Sequence, residues 1–129
     1  MCVRWDVMGK YFATAGADRK IKIWEISKGI NVDLKSTLAG SNAAVMGIDF
    51  DATGSLILGA SNDFASRVWS VDDGRLRHTL TGHSNKVSSA KFMGDTTRVV
   101  TGSHDRTLKV VLTFFTIQIG FFEAFIIIN

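Results

Sequence analysis

ATAGADRKIKIW (Ala13 to Trp24), LGASNDFASRVW (Leu58 to Trp69) and VTGSHDRTLKVV (Val100 to Val111) align without a gap within a chain of 129 residues. Asp18, Asp63 and Asp105 fall 45 and then 42 residues apart, and Trp24, Trp69 and Val111 repeat the same two intervals. Trp5, Phe50 and Phe92 do so as well, and Leu38-Ala39-Gly40 precedes Leu80-Thr81-Gly82 by 42 residues. Self-similarity at this period marks a repeat architecture, whose units bury their apolar faces only by stacking on one another.

Inside each unit the local pattern is β. Lys20-Ile21-Lys22-Ile23-Trp24 alternates with period two, so Ile21 and Ile23 share one face and the lysines the other. Arg67 and Lys109 take the place of Lys22, which predicts an outward-facing basic residue in every unit. Asp51-Ala52-Thr53-Gly54-Ser55 and Asp72-Asp73-Gly74 have the composition of hairpin turns, and Asp95 is expected in an exposed one. Each unit then holds four short strands, the content of one antiparallel propeller blade. The expectation is an all-β chain of two complete blades and part of a third.

Composition narrows the function. The 46% hydrophobic and 21% charged content is that of a foldable domain. The net charge of +3 comes from scattered Lys and Arg, so no nucleic-acid partner is expected. The single cysteine, Cys2, cannot form an internal disulfide, and the first residues carry no apolar signal core, so a reducing cytoplasm is expected. His78, His83 and His104 lack Cys or carboxylate companions at ligand spacing, which predicts no metal site. The sequence has neither a nucleophile elbow nor a glycine-rich phosphate loop, so neither an enzyme nor a cofactor is expected.

Gly82-His83, Ser103 and Asp105 resemble the hydrogen-bonded tetrad of WD-repeat β-propellers. The resemblance implies that the Asp carboxylate accepts from its own turn and from the His, with Ser and Trp extending the network. The second unit offers Ser61, Asp63 and Trp69, with Ser41 in the His place. The first has Asp18 and Trp24 but Gly16 in the Ser place, and in the third Val111 replaces the Trp. Trp5-Asp6 spells the family's dipeptide, yet it aligns with Phe50 and not with Trp24-Glu25 or Trp69-Ser70.

Gly40-Ser41-Asn42-Ala43, SNDFASRVWSVDD (Ser61 to Asp73), RLRHTLTGHSNKVSSAKF (Arg75 to Phe92) and GSHDRTLK (Gly102 to Lys109) more closely resemble the C-terminal propeller of the autophagy-related protein 16 family. That resemblance implies a non-enzymatic scaffold for autophagosome formation, cytoplasmic and recruited to autophagic membranes. The family's conjugation machinery is engaged through a ubiquitin-like-conjugate-binding segment and a coiled coil, both absent here. Such a propeller is expected to need about seven blades, so residues 1–109 read as a truncated piece, and a generic WD-repeat adaptor is the alternative.

Residues 110–129, VVLTFFTIQIGFFEAFIIIN, hold fourteen apolar residues and one charge. They read first as a non-homologous tail. The alternatives are a membrane-anchoring helix, whose 20 residues are long enough to span a bilayer core, and an added strand on the last blade. Partner contacts are expected on one rim, from loops on a rigid sheet. The candidates are Arg19, Asn42, Phe64, Lys86 and Arg106, for a peptide with apolar and acidic groups.

Overall fold

The computed structural model describes residues 1–94, 98–112 and 115–119, which form twelve strands and no helix. They assemble into three four-stranded antiparallel sheets, each a meander in sequence order. Sheet one contains β1 (Cys2–Trp5), β2 (Tyr11–Ala15), β3 (Ile21–Ser27) and β4 (Asn31–Leu38). Sheet two contains β5 (Val45–Phe50), β6 (Leu56–Ser61), β7 (Ser66–Ser70) and β8 (Leu76–Leu80). Sheet three contains β9 (Val87–Phe92), β10 (Arg98–Ser103), β11 (Leu108–Leu112) and β12 (Phe115–Ile119). The chain is thus an all-β partial propeller.

Strand alternation sets how the sheets stack. Ala13, Ala15, Ile21, Ile23 and Leu38 leave sheet one on a single face and bury against Val45, Ile48, Phe50, Ile57 and Trp69 of sheet two. The opposite face of sheet two presents Leu58, Ala60 and Val68 to Val87, Ala90, Val99 and Val111 of sheet three. The first strands β1, β5 and β9 lie side by side, as in a radial arrangement. Across the second junction the Phe92 amide donates to Asp49 Oδ2 at 2.9 Å, and Lys91 Nζ lies 3.6 Å from Asp49 Oδ1.

Turn chemistry fixes the hairpins. Asp6 Oδ1 accepts the Tyr11 amide at 3.0 Å, and Asp51 Oδ1 accepts the Leu56 amide at the same distance. Asp6 and Asp51 are 45 residues apart, so the Asp of the opening dipeptide is a hairpin carboxylate, a role the repeat spacing carried but composition alone did not suggest.

The basic position departs from expectation. The Lys22 side chain is 41% exposed, but Arg67 and Lys109 are buried. The links joining consecutive sheets cross that face: Gly40 lies against Arg67 and Gly82 against the Lys109 ammonium. In the apolar tail, β11 and β12 pair antiparallel from Leu108↔Ile119 to Leu112↔Phe115. Residues 110–112 and 115–119 are therefore strand and not helix, and no helix of the described residues is long enough to cross a membrane. Residues 120–129 and Asp95 lie outside the described residues.

Candidate functional site

The turns between the second and third strands of the sheets end in residues that an L-amino acid seldom adopts. Arg19, Phe64 and Arg106, equivalent in the repeat, have φ of 69°, 76° and 69°. A left-handed non-glycine residue persists only where its surroundings hold it there. The neighbouring carboxylates do so.

In sheet three Asp105 Oδ1 accepts the Thr107 amide at 2.9 Å and the Thr107 hydroxyl at 2.6 Å. Its Oδ2 accepts from the Ser84 amide at 3.1 Å and faces His83 Nδ1 at 2.7 Å. Burial works against the charged form, but the Thr107 hydroxyl, the His83 ring and the two amides outweigh it, holding the carboxyl well below the usual carboxylate range. One carboxylate thereby binds the turn to the link Gly82-His83-Ser84.

The hydroxyl that continues the network from His83 is Thr101, whose Oγ1 lies 2.8 Å from Nε2, and not Ser103. Ser103 Oγ serves the turn itself: it accepts the Asp105 amide at 3.0 Å and faces the Lys86 carbonyl at 2.8 Å. Ser61 repeats this role, accepting the Asp63 amide at 3.1 Å. Thr101 aligns with Gly59 and Thr14, so the 45- and 42-residue spacing could have located it.

Sheet two solves the same problem without histidine. Arg67 Nη1 lies 2.7 Å from Asp63 Oδ2 and 3.4 Å from Ser41 Oγ. Asp63 also accepts the Asn42 amide at 2.9 Å and the Ala65 amide at 3.1 Å. Burial opposes the charge on Asp63, but the Asn42 amide, the guanidinium and the Ala65 amide lower its pKa overall. The Trp69 indole donates to the Ala39 carbonyl at 2.8 Å, outside the Asp63 network. In sheet one the Trp24 indole donates to Thr14 Oγ1 at 3.1 Å. Asp18 stands apart from both, accepting the Lys20 amide at 3.2 Å with Lys22 Nζ at 3.9 Å.

The repeat matches the family of "WD domain, G-beta repeat" over residues 1–25, 33–70 and 74–111. The chain belongs to the WD-repeat family. It is 43% identical over 109 residues to "Protein tipD" of Dictyostelium discoideum, covering 84% of this chain and 17% of that protein. It is 42% identical over 82 residues to "Autophagic-related protein 16.2" of Caenorhabditis elegans, covering 63% of this chain and 15% of that protein. It is 34% identical over 98 residues to "Autophagy-related protein 16" of Arabidopsis thaliana, covering 75% and 19%. The chain is thus related to the autophagy-related 16 proteins and spans less than a fifth of the length of these relatives.

In this WD-repeat chain the rim is assembled by backbone bonds between turns. The Asn62 amide donates to the Ala44 carbonyl and the His104 amide to the Lys86 carbonyl, both at 2.9 Å, while the Val45 amide reaches the Gly16 carbonyl at 3.1 Å. These bonds set the expected partner residues Arg19, Asn42, Phe64, Lys86 and Arg106 on turns and links of that end, all exposed. Phe64 keeps 45% of its surface in solvent. Among the described residues no group of His, Cys, Asp or Glu is placed to hold a metal ion.

Proposed function

We propose that the chain is a non-enzymatic protein-interaction module of autophagosome formation, acting in the cytoplasm and meeting autophagic membranes only through its partners. The observation that carries this reading is the rim. Buried carboxylates at Asp63 and Asp105 rigidify turns that expose Phe64 and Arg106, and Arg19 adds a further cation at the equivalent place. A rigid apolar ring among basic side chains suits a peptide carrying apolar and acidic groups. The relationship to autophagy-related 16 proteins supports placing that peptide on an autophagy protein. A generic adaptor in another pathway is the second reading, favoured by 34% identity over 113 residues to "WD repeat-containing protein WDS homolog" of Arabidopsis thaliana.

Affinity capture from lysate with the wild-type chain and with a triple variant, Arg19→Ala with Phe64→Ser and Arg106→Ala, tests the reading. Autophagy proteins that carry a peptide with apolar and acidic groups are expected on the wild type and absent from the variant at equal melting temperature. Recovery of such proteins by neither chain, or equally by both, would overturn it.

A further inference from the structure

Phe64 stands between two pairs of outward cations. The three equivalent turns follow the order of the sheets, which stack one, two, three through the two buried junctions. On the sheet-one side of Phe64 the exposed cations are Arg19 and Lys20, and the anion beside them, Asp18, lies 3.9 Å from Lys22 Nζ. On the sheet-three side they are Lys86 and Arg106. The bond from the His104 amide to the Lys86 carbonyl keeps that lysine beside the turn of Arg106.

The middle turn is different because its charges are covered. Asp63 and Arg67 pair with each other, and both side chains are nearly buried. Ala65 and Ala44 stand where the repeat has Lys20 in sheet one and Lys86 in sheet three. Sheet two therefore shows an exposed aromatic ring and no outward charge at these positions. In sheet three the Asp105 carboxylate is likewise covered, committed to His83, so it does not cancel Arg106. Phe64 and Arg106 stay exposed although a link is bonded to the carboxylate of each turn, through the Asn42 amide in one and the Ser84 amide in the other. The outward position is thus a property of the turn itself, shared by Arg19.

We infer that the rim selects its peptide by the order of its groups: an apolar anchor on Phe64 with acidic residues on both sides of it, one set at Arg19 and Lys20 and the other at Lys86 and Arg106. This rests on the rim being the peptide site and adds the order in which the peptide must carry its groups. Matched charge at two separated places fixes register and rejects wrong partners. A peptide whose acids all lie on one side of the anchor leaves one cation pair unmatched. A carboxylate placed at the anchor would be pressed against a ring that offers it no hydrogen bond.

Fluorescence anisotropy on the intact chain tests the order with synthetic peptides of identical composition, each one aromatic residue and two pairs of glutamates in a glycine-serine chain. One isomer has a pair on each side of the aromatic residue; the others have both pairs on its N-terminal or on its C-terminal side. The flanked isomer should bind about tenfold more tightly than either one-sided isomer at low salt, and the gap should shrink as salt is added. Two charge-reversed chains, Arg19→Glu with Lys20→Glu and Lys86→Glu with Arg106→Glu, should prefer opposite one-sided isomers, because each keeps one cation pair. Should either melt below the wild type, Lys20→Glu alone and Lys86→Glu alone, both outside the left-handed positions, replace the pairs. Isomers that bind equally well, and all better than a control with glutamine for glutamate, would overturn the inference and leave the rim as the peptide site. Charge-reversed chains that prefer the same isomer would overturn it as well. Binding of no isomer above the glutamine control would overturn both the order and the rim.

Discussion

The indole of Trp69 occupies the space above the bare Cα of Gly59: a Cβ built there would stand 3.0 Å from Trp69 Cζ3 and 2.9 Å from Ile21 Cδ1. Thr14 and Thr101 hold the same repeat position in the neighbouring sheets. Where a threonine is present its hydroxyl takes a ring nitrogen, of Trp24 in one case and His83 in the other. With glycine the Trp69 ring has no such hydroxyl, settles against the backbone and donates to the Ala39 carbonyl instead. Gly59→Thr should therefore destabilise the chain by about 1 to 3 kcal/mol through overpacking, read as a lower urea midpoint. An unchanged midpoint would show that the junction has room to spare.

Arg67 and Asp63 form a nearly buried ion pair, their side chains 8% and 10% exposed. Arg67→Met leaves the nearly buried Asp63 carboxylate without its guanidinium partner and should cost about 3 kcal/mol. Lys22→Met, at the equivalent but open position, should change stability by about 0.5 kcal/mol or less. Comparable losses from the two would mean that the Gly40 link does not shield Arg67 from water.

Acid sensitivity follows from Asp105 and Asp63, both depressed in the folded chain. A carboxyl with a lowered folded pKa stabilises the fold above its unfolded value, near 4, and that contribution fades as pH falls below 4 toward the folded value. Chemical denaturation at a series of pH values should show stability level through neutrality and declining below about pH 4. Asp105→Asn should lower the neutral plateau and flatten the acid limb. An acid limb as steep as the wild type's would place the responsible group elsewhere.

His83 and Thr101 should be energetically coupled, whereas His83 and Ser103 should not. A double-mutant cycle of His83→Ala with Thr101→Val is expected to give about 1 kcal/mol of interaction energy. The same cycle with Ser103→Ala should give a value near zero. A larger coupling through Ser103 would reverse the assignment of the hydroxyl.

The repeat spacing made the sheets legible because one set of apolar positions serves every junction: Ile21 and Ile23, and Trp69 with Val111, fell where period and register put them. Legibility ended where a side chain answers to a partner far along the chain. The burial of Arg67 depends on the link at Gly40, which alternation within β7 cannot see. Thr101 and Ser103 share strand parity on β10, so alternation alone does not say which hydroxyl meets a histidine 18 residues away along the chain. The fourth strand of sheet three was obscured by apolar residues whose composition serves a helix, a strand or a tail alike.

Arg19, Phe64 and Arg106 share a backbone twist but not a chemistry. Their geometry is secured by the main chain and by the adjoining aspartates, so the identity of the outward group carries little of the folding burden. Such a position behaves like a socket into which successive duplications of the unit can fit different tools, so that a stack of nearly identical parts comes to present a pattern with no symmetry of its own.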